Sequence, residues 1–251
     1  LFPNSVEQKY VDSLGNDASI VVLTEKTSNL HHGSFIDQID TLITPFSDKD
    51  FEVFQPEILL TFGGMVVSKR IKSFLRKYQP QEHWHVDELR AYDTYGALSQ
   101  HFKTSPNTFF SHLLNEKSIE SDYKSSIATV WKSRVVQHRL YTKTVPFSDF
   151  KVFDFISQNL PKNTQLQVSN SSAIRYIQLF DLDTTVAVFC NRGTSGIDGS
   201  TSTAIGAALA SNLPTMLITG DISFLYDSNA LWNNYIPKNF KIILLNNSGG
   251  G

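Results

Sequence analysis

The sequence predicts an α/β protein of two doubly wound parallel-sheet domains joined by a long helical linker. Three observations lead there. Short apolar, β-branched runs alternate with helical patterns in both halves, the order expected of parallel strands with helical crossovers. One long, mostly polar helical pattern, "SDYKSSIATVWKSRVVQHRLYTKTVPFSD", interrupts that alternation near the middle. The strand patterns of the second half end on small or polar residues, as where a sheet turns its carboxyl ends toward a ligand.

In the first half, "ASIVVLTE" and "EILLTFGG" read as continuous apolar strands buried on both faces. "SKRIKSFLRKYQP" reads as a helix, with Ser68 as N-cap, Ile71, Phe74 and Leu75 as its apolar face, and Pro80 just beyond its end. "EHWHVDE" is the next strand. The long polar helix ends near Pro146, since the residue before a proline is disfavoured in helical geometry. A domain boundary within residues 115–125 follows, giving a domain over 1–120 and a second over 121–251 that begins with the linker helix. That second domain repeats the alternation. "FSDFKVFDFISQNLP" is a helix capped by Ser148, "TQLQVSN" a strand, and "SSAIRYIQLF" a helix. "TTVAVFCN" is a strand, and a Gly-rich loop then leads into the small-residue helix "STSTAIGAALAS". "PTMLITG" is a strand, "DISFLYDSNALWNN" a helix and "FKIILLNN" a strand. Four strand ends then share one rim: Asn170-Ser171, Asn191-Arg192, Gly220-Asp221 and Asn246-Asn247.

The bulk properties bound the function. A chain of 251 residues, 41% hydrophobic and 18% charged, suits two globular domains. A formal charge of −2 gives no electrostatic reason to expect nucleic acid or an anionic membrane as partner. No apolar run has the length of a membrane span, so no membrane insertion is expected. Cys190 is the single cysteine, which rules out an internal disulfide and fits a reducing, cytoplasmic setting. The chain opens on Leu1 and stops at "NNSGGG", which reads as a piece of a longer protein.

The chemistry concentrates at two of the strand ends. Asp221 follows one strand and Asn247 the next, 26 residues later (247 − 221). Consecutive parallel strands set these two side by side. Mg²⁺ (or Mn²⁺) takes oxygen ligands, commonly one or two protein groups plus substrate phosphates. Asp221 offers a carboxylate, Asn247 an amide oxygen and Gly249 a backbone carbonyl. The helix starting near Ile222 and Ser223 aims its amides at the same point, where an anion would sit. Taken singly, a Gly-Asp at a strand end is an ordinary turn with an N-cap. Two such features at the ends of consecutive strands make a metal–diphosphate anchor the better reading.

Gly220-Asp221 followed by Asn246-Asn247 resembles the thiamine diphosphate binding motif. The words "NSSAIR", "NRGTSGIDGSTSTAIGAA", "GDISFLYDSNAL" and "NNSGGG" are narrower. They resemble the 2-succinyl-5-enolpyruvyl-6-hydroxy-3-cyclohexene-1-carboxylate synthase family, thiamine diphosphate enzymes of menaquinone biosynthesis. The resemblance is dense from Asn170 to Gly251 and thinner over 1–120, where "FGGMVVSKR" is the clearest anchor. One departure is Ser248, where the general motif carries Asn or Asp. The resemblance implies a central domain over 1–120 and a C-terminally truncated diphosphate-binding domain over 121–251, with the family's N-terminal pyrimidine-binding domain outside this chain.

The resemblance also implies roles. Asp221, Asn247 and the Gly249 carbonyl match the metal ligands. Gly196, Ile197, Asp198, Gly220, Ile222 and Ser223 match cofactor-contacting positions. Ile197 would press the cofactor into its bent form, bringing the 4′-amino group near the thiazolium C2. Ser171, Arg175 and Arg192 match substrate-contacting positions, and Lys69 and Arg70 a basic pair of the central domain that reaches toward substrate. Carboxylate-rich substrates suit such forks, because Arg binds carboxylates bidentately. Arg175 stands in the first turns of its helix, where a cation opposes the helix dipole, so a structural role alone would not place it there. The implied reaction decarboxylates 2-oxoglutarate and adds the four-carbon product to isochorismate in a 1,4-addition, in a homodimer or homotetramer whose sites form between subunits. The activating glutamate lies in the absent domain, so this chain alone is expected to be inactive. Two other classes remain in view: a non-catalytic nucleotide-binding α/β domain, and a thiamine enzyme of the acetohydroxyacid synthase kind. Arg175 together with Arg192 speaks against the latter, whose pyruvate donor needs no second carboxylate clamp. His83 with His85, and His31 with His32, show no third ligand for a metal in the local sequence. "GTSGI" lacks the final glycine of a nucleophile elbow.

Overall fold

A computed structural model describes residues 2–114 and 120–248 of the chain. Two compact units divide it, Leu1–Tyr141 and Thr142–Gly251. Each is α/β with a wholly parallel sheet, as the alternation predicted. In the first unit β1 (Ile58–Phe62), β2 (Glu82–Val86) and β3 (Leu98–Phe102) lie in the order β1-β2-β3. In the second, β4 (Gln165–Val168), β5 (Ala187–Cys190), β6 (Thr215–Gly220) and β7 (Phe240–Leu245) lie in the order β5-β4-β6-β7.

The first sheet is covered on both faces, because side chains of a strand alternate between faces. Leu59 packs with Ile71, Phe74 and Leu75 of helix Lys69–Lys77, and with Phe54. Leu60, Phe62, Trp84 and Val86 pack on the other side with Val11, Phe109 and Phe110. Ser68 caps helix Lys69–Lys77 as expected, accepting from the Ile71 amide at 3.1 Å.

Three sequence expectations change here. "ASIVVLTE" does not form a ladder strand: a single bridge joins Leu23 to Ile36. Its side chains still alternate between the two apolar clusters, so the apolar run reported burial rather than pairing. β1 is not fully buried, because it lies at the edge of its ladder and leaves Ile58 exposed. The helix after β6 stops at Tyr226 rather than running on, and Asp227 turns away to another use described below. β3 and the helices Gln8–Asn16, Asp48–Phe54 and Pro106–Leu113 carry no reading at the sequence level.

The long helix spans Tyr123–Thr144 and ends two residues before Pro146. Its first half packs on the first unit through Tyr123, Ile127, Val130 and Trp131. The Tyr123 hydroxyl donates to the Phe54 carbonyl at 2.8 Å, and burial pushes that phenol up to about 12. The division between compact units thus falls within the helix, whereas the boundary expected near residue 120 counts the helix with the second domain.

In the second unit the core gathers Leu166, Val168, Val188, Leu217 and Ile218 of the sheet. Phe153 and Ile156 of helix Asp149–Asn159 are buried, as are Ile174 and Ile177 of helix Ser172–Ile177 and Ala204, Ile205 and Ala208 of helix Ser200–Ala210. The Phe153 ring stacks on Tyr176 at 5.4 Å. Ser148 sits at the N-cap position of helix Asp149–Asn159, but its hydroxyl donates to the Pro146 carbonyl instead of capping.

Candidate functional site

The strand order fixes where a site belongs. β4 is central: its crossover leads to β5 on one side, and the chain then returns to β6 on the other. The order reverses between β4 and β6, and such a switch point opens a crevice at the carboxyl ends. Ser169, Asn170 and Ser171 follow β4 there, and Asp221 follows β6. β6 and β7 pair through Gly220 and Leu245. Asp221 therefore stands one residue past its strand and Asn247 two residues past the neighbouring one.

Three serines on this rim have positive φ: Ser171 (75°), Ser195 (65°) and Ser248 (69°). A left-handed backbone is disfavoured for a residue with a Cβ and costs on the order of 1–3 kcal/mol. Such strain collects where a loop must hold a particular shape.

The loop after β5 is held from two neighbours. Asn170, 5% exposed, donates its side-chain amide to the carbonyls of Ser195 (2.5 Å) and Gly196 (3.1 Å). The same side chain accepts from Arg192 through Oδ1. Ser223 is buried and donates its hydroxyl to the Ile197 carbonyl at 2.6 Å. Ile197 itself is half-buried, while Gly196 and Asp198 are exposed. Gly199 closes the loop at φ 68°, a left-handed N-cap that frees the following helix from its approach. That helix has no cap of its own. Asp227 supplies one from beyond β6, accepting from the Ser202 amide at 2.7 Å.

At the expected metal position, Asp221 Oδ1 accepts from the Ile222 amide at 2.8 Å. Asn247 donates its Nδ2 to Asp149 at 3.0 Å, which turns its oxygen away from that partner. This polarity suits an oxygen ligand, since an amide held through its nitrogen presents its carbonyl. Gly249 lies outside the described residues. Among the described residues no three His, Cys, Asp or Glu side chains group as a metal site. The buried hydroxyls of Ser169, Ser200 and Thr201 and the Nε of Arg192 meet no hydrogen-bond partner among the described residues. Buried polar groups are seldom left so, and these lie on the loops and helix start that surround the crevice.

The predicted residues are not all brought together. Ser171, Arg192, Gly196, Ile197, Asp198, Gly220, Asp221, Ile222, Ser223 and Asn247 all lie on the carboxyl rim of the second sheet. Arg175 is exposed, and here a sequence argument fails: its helix has only six residues and Arg175 lies in the last turn, where the dipole favours a cation. Lys69 and Arg70 belong to the first unit, exposed in the first turn of helix Lys69–Lys77. The sequence reading gave no role to the side chains of Asn170, Asp149 or Asp227. Only Asn170 carried a signal, a polar residue directly after a buried strand. The other two act across 98 and 25 residues, respectively.

The histidines of β2 are structural by their contacts. His83, 1% exposed, and His85 both meet the Thr61 hydroxyl, at 2.8 Å each. Burial holds both rings below the usual histidine range.

Comparison with known proteins identifies the class first. Residues 5–168 match the family described as "Middle domain of thiamine pyrophosphate", and the chain belongs to that family of thiamine pyrophosphate enzymes. Within it, the chain is 63% identical over 250 residues to the 2-succinyl-5-enolpyruvyl-6-hydroxy-3-cyclohexene-1-carboxylate synthase of Flavobacterium psychrophilum, covering 99% of this chain and 46% of that protein. It is 62% identical to the synthase of the same name from Flavobacterium johnsoniae (99% and 45% covered) and 54% identical to that of Christiangramia forsetii (99% and 44%). The chain thus spans about half the length of these relatives.

Proposed function

We propose that this chain is the central and diphosphate-binding part of a 2-succinyl-5-enolpyruvyl-6-hydroxy-3-cyclohexene-1-carboxylate synthase. The whole enzyme decarboxylates 2-oxoglutarate and adds the remaining four-carbon unit to isochorismate, in the cytoplasm and as a homo-oligomer. The observation that carries this reading is Asp221 beside Asn247 at neighbouring strand ends, next to a crevice whose loop is pinned by Asn170 and Ser223. The near full-length likeness of this chain to synthases of that name supports it.

When bound, thiamine diphosphate supplies the electron sink for decarboxylation that no side chain provides. The chain's own residues have four tasks. Asp221 and Asn247 would hold Mg²⁺, with Asp149 orienting Asn247 and Gly249, outside the described residues, as the third expected ligand. The Ser223 amide at the start of helix Asp221–Tyr226 would face the diphosphate, whereas the Ile222 amide is taken by Asp221 Oδ1. Gly196, Ile197 and Asp198 would contact the cofactor, and the Ser223 hydroxyl holds the Ile197 carbonyl. Ser171, Arg175 and Arg192 receive substrate carboxylates, with Lys69 and Arg70 as further cations. The unpartnered Arg192 Nε fits an incoming carboxylate.

The test is turnover by a full-length enzyme carrying this sequence, with Mg²⁺ and thiamine diphosphate. Product formation from 2-oxoglutarate and isochorismate is expected, with pyruvate inert as donor. Turnover of pyruvate in place of 2-oxoglutarate would move the assignment to the acetohydroxyacid synthase kind. NAD binding without thiamine diphosphate binding would move it to a nucleotide-binding domain.

A further inference from the structure

Lys69 and Arg70 stand where helix electrostatics disfavour them. They occupy the first turn of helix Lys69–Lys77, which has no acidic residue there, although the start of a helix carries partial positive charge. Both are exposed, and neither has an ion-pair partner among the described residues. Two carboxylates engage the residues just before them. Glu25 accepts from the Val67 amide through both oxygens, at 2.8 Å each, and from the Ser68 amide at 2.8 Å. Asp40 accepts from the Ser68 hydroxyl, which itself takes the Ile71 amide at 3.1 Å. Lys72 donates to the Val66 carbonyl at 3.0 Å. The backbone from Val66 to Ser68 is thereby fixed from two sides, and Val67 and Ser68 are buried. Glu25 comes from 42 residues earlier in the chain, so this is a tertiary clamp rather than a local cap. Tyr95, pushed up to about 12 by burial, also feels the Glu25 charge.

We propose that Glu25 is the positioning residue for the Lys69–Arg70 pair: its carboxylate takes the place of an anionic ligand on the backbone before the helix, and so leaves the two cations free to face a carboxylate substrate. This rests on the proposed substrate role of the pair. An internal anion at this point has two effects. It offsets the repulsion between the helix start and the cations, and it closes the βα turn of the first unit to a phosphate.

Glu25→Gln tests the clamp, since it keeps the shape and removes the charge. In the full-length enzyme the KM for isochorismate is expected to rise about tenfold, with kcat within about twofold and thiamine diphosphate affinity unchanged. Glu25→Asp, with the charge on a shorter stem, recovers part of the loss. An unchanged KM in Glu25→Gln, or a joint fall of kcat, cofactor affinity and Tm, overturns the proposal. A second measurement separates it from the functional reading. Amide exchange at Val67 and Ser68 in this 251-residue chain is expected to quicken at least about tenfold in Glu25→Gln. If the wild-type enzyme does not use isochorismate, the functional reading falls and the substrate half of the proposal with it. Quickened exchange then still upholds the clamp, and unchanged exchange removes it.

Discussion

The two units share an architecture and differ in what they immobilise. In the first, protein carboxylates pin the backbone before helix Lys69–Lys77, and Lys69 and Arg70 stay exposed with no ion-pair partner among the described residues. In the second, the side chain is pinned: Arg192 is tied to Asn170, which also holds the loop that carries Ile197. The backbone record differs in the same way. Outside glycine, positive φ in the first unit falls on Asn4 and Asn29, a residue type that tolerates it. In the second it falls on Asn163 and also on three serines, Ser171, Ser195 and Ser248, which all stand past the carboxyl ends of strands. A free Lys or Arg has roughly 2 kcal/mol of rotamer entropy to lose on binding; Arg192 has already lost much of it. The first unit leaves two cations exposed on its surface, while the second fixes a side chain and a loop.

This contrast can be broken in steps. The largest effect is expected from Asp221→Ala, which removes the one carboxylate of the proposed metal set and should abolish Mg²⁺-dependent thiamine diphosphate binding by calorimetry, with the fold retained by circular dichroism. Next comes Asn170→Ala. It frees Arg192 and two loop carbonyls together and should cost roughly 10²-fold in kcat/KM, as small misplacements do. Asp149→Ala should weaken Mg²⁺ affinity about tenfold, the lower end for an outer partner of a ligand. Lys69→Ala and Arg70→Ala should act mainly on KM, with a penalty that shrinks as ionic strength rises, and shift stability by no more than about 0.5 kcal/mol. If either substitution lowered kcat as strongly as Asn170→Ala does, the contrast would be lost.

The smallest effect concerns pH and the first unit alone. His83 and His85 titrate below the usual histidine range because burial disfavours their charged forms. The unfolded chain then binds protons that the folded one does not. Their contribution to stability is complete above about pH 6.5 and is lost as pH falls toward the depressed folded values. Tm should drop between pH 7.5 and 5.5, and less so in His83→Gln. An equal drop in both proteins would clear these rings of the effect.

The second unit was almost wholly legible in the sequence, strand by strand, because each short apolar run is a parallel strand bounded by turn residues. The first unit was not. "ASIVVLTE" has the composition of a strand and the burial of one, yet its backbone makes only a bridge. β3, "LSQHF", escaped notice because only its ends are apolar. Within the site, positions set by the chain's order were readable: Asp221 and Asn247 are each named by the strand before them. Partners set by folding were not. Nothing near Asn247 points to Asp149, nothing near Val67 points to Glu25, and the dipole argument for Arg175 assumed a longer helix than the chain makes.

The segment after β6 grips the loop and helix after β5 at two points, through Ser223 on the Ile197 carbonyl and Asp227 on the Ser202 amide. Two neighbouring parts of one crevice therefore cannot shift independently. In thermodynamic terms they are linked: whatever favours one arrangement of the Asp221 turn favours a matching arrangement of the Ile197 loop, and by the same free energy in reverse.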